Sequence, residues 1–407
     1  MKNLFFTILL FLFLSLSAGA DDWPFLFGPT YNGISAEKGW LDDTPSAEDI
    51  KVLWKKSVGV STSAVVVSDG RVYTMSNLGT KGKPETHKDI VYCFDADNGE
   101  ELWRYVYWCG LNFKSNTPGG PFATPTVNGD GVYTFSRKGD AFCLDSKTGK
   151  VKWYRDLANG EGMLTPFQGG FAGSPLVLDK MVIYNAGVAG VALDKMTGKV
   201  LWKSDPNIAA QATPVPFKKD GKQYIAMFGG DGLVAVSASD GKEQWRYLWP
   251  TKYKTNAPNP VIYGNKIFIS TSYKMGCALL DVTGNKPELI WENKNMQNHY
   301  STSILWNGYL YGFDIAKLKC MDFATGRDKW TLTGGYGKGG LMMADGKLIV
   351  LTEKGVLLIG QASPSAFEPV IEKEIITGKC YAPPVLANRK IYARNLTGDL
   401  VCVKTRD

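Results

Sequence analysis

A nine-residue pattern recurs along the 407-residue chain and constrains its fold more than any other feature. At 145–153 it reads DSKTGKVKW: an aspartate opens a turn, a glycine follows four residues later, and a tryptophan follows four residues after that. Related turns fall at Asp95–Gly99, Asp145–Gly149, Asp194–Gly198, Ser237–Gly241, Asp281–Gly284 and Asp322–Gly326. The tryptophans that follow them lie 50, 49, 43, 46 and 39 residues apart. This period, with four strand-like runs in each unit, predicts an all-β propeller.

Eight units of four antiparallel strands can be counted, which predicts an eight-bladed ring. Their first strands lie near Ser63, Pro125, Pro175, Pro214, Pro260, Ser303, Leu341 and Pro384. The eighth unit ends with its third strand at Leu400–Val403, so we expect the N-terminal run Ile50–Trp54 to supply its fourth. Pairing the two ends closes the ring and removes its free edges. The seventh unit departs from the pattern, because Pro369–Ile375 has neither the tryptophan nor the turn.

Each residue type of the repeat has a structural role. The turn aspartate can accept hydrogen bonds from amides of its own turn, and the glycine takes the positive-φ position of a bulged hairpin. The tryptophan falls on the outermost strand, where it can wedge between sheets and stabilise each joint by roughly 2–3 kcal/mol. The predicted docking tryptophans are Trp54, Trp103, Trp153, Trp202, Trp245, Trp291 and Trp330. We therefore interpret the repeat as structural rather than catalytic.

Residues 1–20 have the pattern of a secretory signal peptide. Lys2 gives a positive start, Leu4–Leu16 is an apolar run too short to span a bilayer, and Ala18–Ala20 is a small-residue cleavage site. We expect cleavage after Ala20, a lead-in segment at 21–49 and a single propeller domain at 50–407. With no second apolar stretch and no cysteine near the cleavage point, the sequence predicts a periplasmic or secreted protein without a membrane span or lipid anchor.

An oxidising compartment makes the seven cysteines candidates for disulfides. Four of them occupy one slot of the repeat, two residues before a turn aspartate or in the matching last strand: Cys93, Cys143, Cys320 and Cys402. Because residues at one position of different repeats are held apart, these four are expected to be free, small and buried. The pattern leaves open a bridge between two of Cys109, Cys277 and Cys380.

The run from Cys143 to Trp153 resembles the tryptophan-docking motif A-x-D-x-x-x-G-K-x-x-W of the PQQ-repeat propellers. The lead-in stretch Trp23–Ser35 is similar to a segment that precedes such propellers in secreted bacterial proteins. Two branches share the fold. One is the quinoprotein alcohol dehydrogenases, and the other is non-catalytic envelope propellers such as the subunit of the outer-membrane barrel-assembly machinery. The motif is a docking device in both branches, so it does not choose between them.

A ligand-binding funnel is predicted on the propeller face where the loops entering the first strands meet the turns between second and third strands. The candidate residues there are Asn256, Tyr273, Lys274, Asn298, His299, Asp314, Lys338, Glu353, Lys379 and Arg394. Cations outnumber carboxylates in this set, which favours an anionic ligand. The formal charge of the chain is +7, but its lysines and arginines form no basic run, so the sequence predicts no nucleic-acid binding.

The resemblance to quinoproteins makes PQQ, a small tricarboxylate, a possible cofactor together with calcium. Against it, the sequence lacks the adjacent cysteine pair of those dehydrogenases and a Cys-x-x-Cys-His haem site. Calcium needs several oxygen ligands, for which Asn256, Asp314 and Glu353 are the candidates. No His/Cys/Asp cluster with metal-ligand spacing and no Gly-x-Ser-x-Gly elbow occurs, so neither catalytic nor metal-binding residues are predicted.

The sequence thus favours a monomeric, non-catalytic envelope propeller that binds a protein partner or an anionic small molecule at the funnel. A PQQ-dependent dehydrogenase is the alternative. A carbohydrate-binding propeller is a third hypothesis, since aromatic residues in long loops can stack on sugar rings. The aromatic candidates for that role are Trp108, Phe113, Phe122, Phe167 and Phe171.

Overall fold

The computed structural model describes residues 22–80, 82–111, 119–164 and 169–405, so the predicted signal peptide lies outside the described residues. In this part of the chain, eight sheets of antiparallel hairpins follow one another, and two 3-10 helices lie at Ala47–Asp49 and Pro84–Thr86. The predicted eight-bladed β-propeller is confirmed. No helix among the described residues is long and apolar enough to cross a membrane.

The blades are numbered in chain order, and their strands run from the central channel outward. Blade 1 contains Val66–Ser68, Arg71–Asn77, Lys88–Asp95 and Glu101–Trp108, and blade 2 contains Thr126–Asn128, Gly131–Phe135, Asp140–Asp145 and Val151–Asp156. Blade 3 contains Leu176–Leu178, Met181–Tyr184, Val191–Asp194 and Val200–Lys203, and blade 4 contains Val215–Lys219, Lys222–Gly229, Gly232–Ser237 and Glu243–Leu248.

The second half of the ring continues in the same order. Blade 5 contains Val261–Tyr263, Lys266–Thr271, Gly276–Asp281 and Glu288–Asn293, and blade 6 contains Ile304–Trp306, Tyr309–Asp314, Lys317–Asp322 and Asp328–Leu332. Blade 7 contains Gly340–Ala344, Lys347–Leu351, Val356–Gln361 and Pro369–Glu374, and blade 8 contains Val385–Ala387, Lys390–Arg394, Asp399–Lys404 and the N-terminal strand Lys51–Ser57.

The ring closes through that N-terminal strand, as the sequence predicted. Lys51–Ser57 pairs antiparallel with Asp399–Lys404, and Trp54 lies opposite Cys402. The Trp54 indole N–H then donates to the carbonyl oxygen of Ala96 in blade 1, at 3.2 Å. The N-terminal strand therefore joins the two ends of the chain within blade 8, and its Trp54 docks blade 8 onto blade 1.

Five of the seven docking tryptophans pack on the turn glycine of the following blade. Gly149 of blade 2 has a φ of 70°, and a Cβ there would lie 2.6 Å from the ring of Trp103. The Trp103 indole N–H donates to the Ser146 carbonyl at 3.0 Å, while Asp145 accepts two amides of its own turn. Four other tryptophans likewise donate their indole N–H to the carbonyl of the second turn residue in the next blade: Trp54, Trp153, Trp202 and Trp291. Glycine is needed here because the indole occupies the space of a side chain.

Two blades differ from this docking arrangement. The turn of blade 5 is one residue shorter, and Gly284 lacks the positive φ of the other turn glycines. In blade 7, Ile371 pairs with Ile359 at the register where the other blades place tryptophan, and it is buried. A smaller aliphatic side chain fills the slot there.

The lead-in segment crosses the rear mouth of the channel. The rear face carries the turns between first and second strands, and the front face carries the loops that enter the first strands. Trp23 pairs with Val67 of blade 1, and the Pro24 carbonyl accepts the amide of Val127 of blade 2 at 3.0 Å.

Farther along, Ile34–Ser35 adds a parallel strand to the inner edge of blade 7. Blade 7 thus has five strands rather than the four predicted, because the inner strand of a blade presents a free edge with which a chain segment can pair.

All seven cysteines are buried free thiols. The four repeat-slot cysteines are free as expected, and Cys109, Cys277 and Cys380 form no bridge. Burial raises the pKa of the Cys109 thiol above its usual range, while it raises that of Cys380 to about 12. These thiols are therefore small core side chains rather than reactive groups.

Candidate functional site

A cavity of about 820 Å³ lies at the axis on the front face and is called the front cavity here. Its walls come from the loops that enter the first strands and from turns between second and third strands, which carry Tyr273 and Glu353. Leu26 and Phe27 of the lead-in also line it. Because the lead-in crosses the channel behind them, these two side chains form a floor. The sequence pattern did not predict this floor, since no repeat specifies where the lead-in runs.

A belt of short polar side chains links the blades around the front cavity. In blades 1 to 5, an entry-loop amide donates to a side-chain oxygen of the next blade: Ala64 to Thr124, Thr124 to Ser174, Ser174 to Thr213, Thr213 to Asn259 and Asn259 to Thr302, at 2.8–2.9 Å. These side chains are buried, and their hydrogen bonds are made within the protein. The wall is therefore fixed in place before any ligand arrives.

Five aromatic rings form a continuous series beside the front cavity. Tyr253 meets Tyr273 edge-on with 5.4 Å between ring centroids, and Tyr273 meets His299 edge-on at 5.3 Å. His299 stacks on Tyr300 at 3.9 Å, and Tyr300 stacks on Tyr381 at 4.7 Å. All but Tyr253 line the cavity. Such a series suits a ligand with a flat or unsaturated body.

The charged side chains described in the lining of the front cavity belong to two lysines and one glutamate. Lys338 and Lys379 line it, and neither forms an ion pair with a carboxylate of the described residues. The Lys338 ammonium lies over the Tyr300 ring, 5.4 Å from its centroid. Burial lowers the pKa of Lys338, Glu353 opposes that change, and Lys379 lowers it further. A bound anion would relieve the repulsion between the two lysines.

Glu353 ties the entry loops of blades 7 and 8 together. One carboxylate oxygen accepts the Lys338 amide at 2.8 Å, and the other accepts the Tyr381 hydroxyl at 3.3 Å. Gly337 has a φ of 66°, and any side chain there would collide with Glu353. The glycine before Lys338 thus lets this loop approach the carboxylate.

His299 is neutral at pH 7. Burial, and then the nearby Lys338 cation, lower the pKa of its imidazole to about 4. Its Nε2 shares a hydrogen bond of 3.1 Å with the Tyr273 hydroxyl, and its buried Nδ1 has no hydrogen-bond partner among the described residues. The ring therefore contributes stacking area and one unused polar atom, not a positive charge.

Half of the predicted funnel residues line the front cavity: Tyr273, His299, Lys338, Glu353 and Lys379. The others lie outside its lining: Asn256, Lys274, Asn298, Asp314 and Arg394. Lys274 is exposed. The asparagine side chains are buried and donate to backbone carbonyls, Asn256 to Gly229 at 2.8 Å and Asn298 to Phe313 at 3.1 Å.

The remaining two are also engaged in the scaffold. Asp314 forms an ion pair of 3.3 Å with Lys319. Arg394 is buried and donates to the Thr74 hydroxyl at 2.8 Å and the Met75 carbonyl at 2.9 Å, which joins blade 8 to blade 1. Burial lowers the pKa of Arg394 to about 10.

The donor set of the front cavity does not fit a calcium-held quinone. Of the three predicted calcium ligands, only Glu353 lines the cavity, and both of its oxygens already accept hydrogen bonds. Asn256 and Asp314 are engaged in the scaffold, and the Asn256 amide oxygen accepts the Thr271 hydroxyl at 2.9 Å. Across the described parts of the chain, no group of three His, Cys, Asp or Glu residues could hold a metal ion. Two lysines could still meet the carboxylates of such a cofactor.

The aromatic residues suggested for sugar binding do not form one surface. Phe171 is fully buried, and Phe122 lies beneath the Arg137 guanidinium, 5.1 Å from its ring centroid. Trp108 is 64% exposed, while Phe113 and Phe167 lie outside the described residues. Of the described three, only Phe122 lines the front cavity.

Comparison with known proteins gives one family match and several partial relatives. The sequence profile described as outer membrane protein assembly factor BamB matches residues 87–332. A polyvinylalcohol dehydrogenase from Sphingopyxis sp. (strain 113P3) is 31% identical over 38% of this chain and 27% of its own length. A tetrathionate hydrolase from Acidithiobacillus ferrooxidans is 25% identical over 55% of this chain and 44% of its own. The chain thus spans less than half the length of these two relatives.

Solved structures show the same fold at low identity. BamB from Moraxella catarrhalis has a TM-score of 0.65 at 14% identity, covering 87% of this chain and 99% of that one. The quinohemoprotein alcohol dehydrogenase from Comamonas testosteroni has a TM-score of 0.70 at 14% identity, covering 95% of this chain and 81% of that one. At such identities the likeness concerns the fold alone.

Proposed function

This chain belongs to the family of the outer membrane protein assembly factor BamB, whose profile matches more than half of its length, and from that premise we propose that it is a non-catalytic binding propeller of the cell envelope. Its ligand is a small organic anion with a flat body, held in the front cavity. The signal-peptide pattern at 1–20 supports a periplasmic location. A protein partner from the envelope would dock around the same mouth.

The observation that carries this proposal is the pairing of charge and stacking area in one preformed cavity. Two lysines that form no ion pair with the described carboxylates lie beside stacked tyrosines, and a belt of hydrogen bonds fixes the surrounding wall. The volume of about 820 Å³ accommodates a ligand of small-cofactor size. Lys338 and Lys379 would meet carboxylate groups, while Tyr300, Tyr381 and the neutral His299 would contact the flat body.

A quinoprotein dehydrogenase is the second candidate, and the relatives named as dehydrogenases favour it. The donor set argues against it, because Glu353 is the single carboxylate among the described residues that line the front cavity. A tricarboxylate cofactor could still bind through the lysines without calcium. Binding and turnover therefore have to be measured separately.

The test is calorimetric titration of the purified protein with benzene-1,3,5-tricarboxylate, a flat trianion, and with the uncharged benzene-1,3,5-tricarboxamide. We expect saturable binding of the acid, much weaker binding of the amide, and loss of affinity as salt is raised. The double variant Lys338→Ala/Lys379→Ala should weaken binding by about tenfold or more, since it removes both cations. Lys274→Ala, which removes an exposed lysine outside the cavity lining, is the matched control and should bind like the parent.

Three results would overturn the proposal. Equal affinity for acid and amide, or no effect of the double variant, would remove the anion site from the front cavity. Dye-linked alcohol oxidation after addition of PQQ and calcium, absent in a boiled control, would show an enzyme instead of a binding module.

A further inference from the structure

A second cavity of about 580 Å³ lies on the rear side of the channel and is called the rear cavity here. The lead-in forms one wall, with Tyr31 and Ile34, and the first strands of blades 4 to 6 form the other. Phe27 lines both cavities and so separates them. The lead-in thus fills one side of the rear mouth and leaves the opposite side open.

The register of the first strands shows which of their backbone groups form hydrogen bonds with the lead-in. In each blade, the residue two positions before the first turn directs its backbone groups into the channel. At this position Val67 pairs with Trp23, Val127 donates to Pro24 and Met343 donates to Gly33, at 2.9–3.0 Å. In blade 3, the Val177 carbonyl accepts the Tyr31 hydroxyl at 3.2 Å. All four channel-facing residues are buried.

In blades 5 and 6, the residue at the same position has no such hydrogen-bond partner in the lead-in. Ile262 and Leu305 stand two residues before their turns, line the rear cavity and are half-buried. In the described part of the chain, neither channel-facing amide N–H has a hydrogen-bond acceptor. Blades 5 and 6 therefore present free edge amides at the position where blades 1, 2 and 7 bind the lead-in.

The surroundings of these amides combine apolar side chains with short polar ones. Aromatic and aliphatic side chains line the rear cavity, among them Phe217, Tyr263, Trp306 and Phe323. Tyr263 is 66% exposed and touches Phe323 edge-on, with 6.1 Å between ring centroids. Among the described residues of this lining, Lys218 is the single charged one. A bound group needs backbone carbonyls for the amides and apolar side chains for the wall.

We propose that the rear cavity receives a short apolar peptide segment of a partner protein, bound by its backbone to the inner edges of blades 5 and 6. Its carbonyl oxygens accept the Ile262 and Leu305 amides, as the lead-in carbonyls accept those of Val127 and Met343. The segment would continue onto blades 6 and 5 the edge pairing that the lead-in makes with the adjacent blade 7. The site is independent of the anion site, so each can fail without the other.

The test uses fluorescence anisotropy of the dye-labelled peptide Ser-Val-Phe-Val-Phe-Ser on the whole protein. The polar peptide Ser-Thr-Ser-Thr-Ser-Ser is the control and should not bind. Leu305→Pro removes one edge N–H at a position where an edge strand tolerates proline, while Leu305→Ala keeps it. We expect the proline variant to lose about threefold to tenfold more affinity than the alanine variant, and Ile262→Pro to behave alike.

Unmodified protein provides a second measurement in case a proline variant does not fold. Replacing peptide amides one at a time by esters weakens single carbonyl acceptors, and at least one replacement should lower the affinity several-fold. Failure of the apolar peptide to bind up to about 1 mM, or equal binding of the polar peptide, overturns the proposal. So does a set of ester peptides that all bind like the parent, since affinity would then not depend on the backbone.

Discussion

Removing the Trp54 side chain tests whether the ring is held shut by its N-terminal strand. Trp54 is 6% exposed, and its indole packs on Gly99 and against Tyr392, with 5.9 Å between ring centroids. Its N–H donates to the buried Ala96 carbonyl at 3.2 Å. Trp54→Ala therefore removes an indole from the core and leaves the Ala96 carbonyl with only the longer bond from the Tyr392 hydroxyl, at 3.4 Å.

The cost follows from these contacts. Burial of the indole contributes roughly 2–3 kcal/mol, the lost hydrogen bond about 1 kcal/mol, and the cavity that remains adds to both. We expect the free energy of unfolding to fall by about 3–5 kcal/mol, a usual value for a buried tryptophan replaced by alanine. Because the lost joint connects the two chain ends, the strand Lys51–Ser57 should also become sensitive to protease before the rest unfolds.

Urea unfolding followed by far-UV circular dichroism measures the loss, and limited proteolysis locates it. Leu53→Ala is the matched control, because Leu53 is 39% exposed on the same strand, and it should cost less than about 1 kcal/mol. Unfolding of Trp54→Ala within error of Leu53→Ala would refute a closing role for this indole. So would a first cut of the variant elsewhere than near the N-terminal strand.

Three further predictions concern a turn, a buried acid and the front cavity. Gly149→Ala should destabilise the fold by at least about 1 kcal/mol more than Gly129→Ala in urea unfolding, since both have positive φ but only the first would clash with Trp103; equal losses would contradict this. Burial raises the pKa of Asp89 to about 6, so the fold favours the protonated form of this side chain. Its contribution to stability is complete below the usual pKa of 3.8 and is lost as pH rises through about 6. Asp89→Asn should flatten this decline in stability between about pH 4 and 7, and an unchanged slope would dismiss the acid as its source. Because Lys338 has a lowered pKa and His299 a pKa of about 4, affinity for the tricarboxylate probe should hold steady between about pH 5 and 8 and fall in more alkaline solution; calorimetry showing a step near pH 6 would place a titrating histidine in the site instead.

The candidate site was only partly visible in the sequence. Asn256, Asn298 and His299 all stand in loops that enter a first strand, and nothing in their local pattern separates them. In the structure the two asparagines donate to carbonyls inside the scaffold, whereas His299 lines the front cavity. Which of these roles a polar loop residue takes depends on the unpaired backbone groups of another part of the chain.

The amino-acid sequence by itself determined the number of blades, the order of the strands, the docking of each blade on the next and the closure by the N-terminal strand. These features are periodic and local, since an aspartate, a glycine and a tryptophan at fixed spacing set each turn and each joint. Only the tertiary structure decided that the lead-in crosses the channel, adds a fifth strand to blade 7 and leaves blades 5 and 6 open. The inner strands present similar edges, so the choice among them rests on the fit of Trp23, Phe27 and Tyr31 between distant blades, which no local pattern encodes.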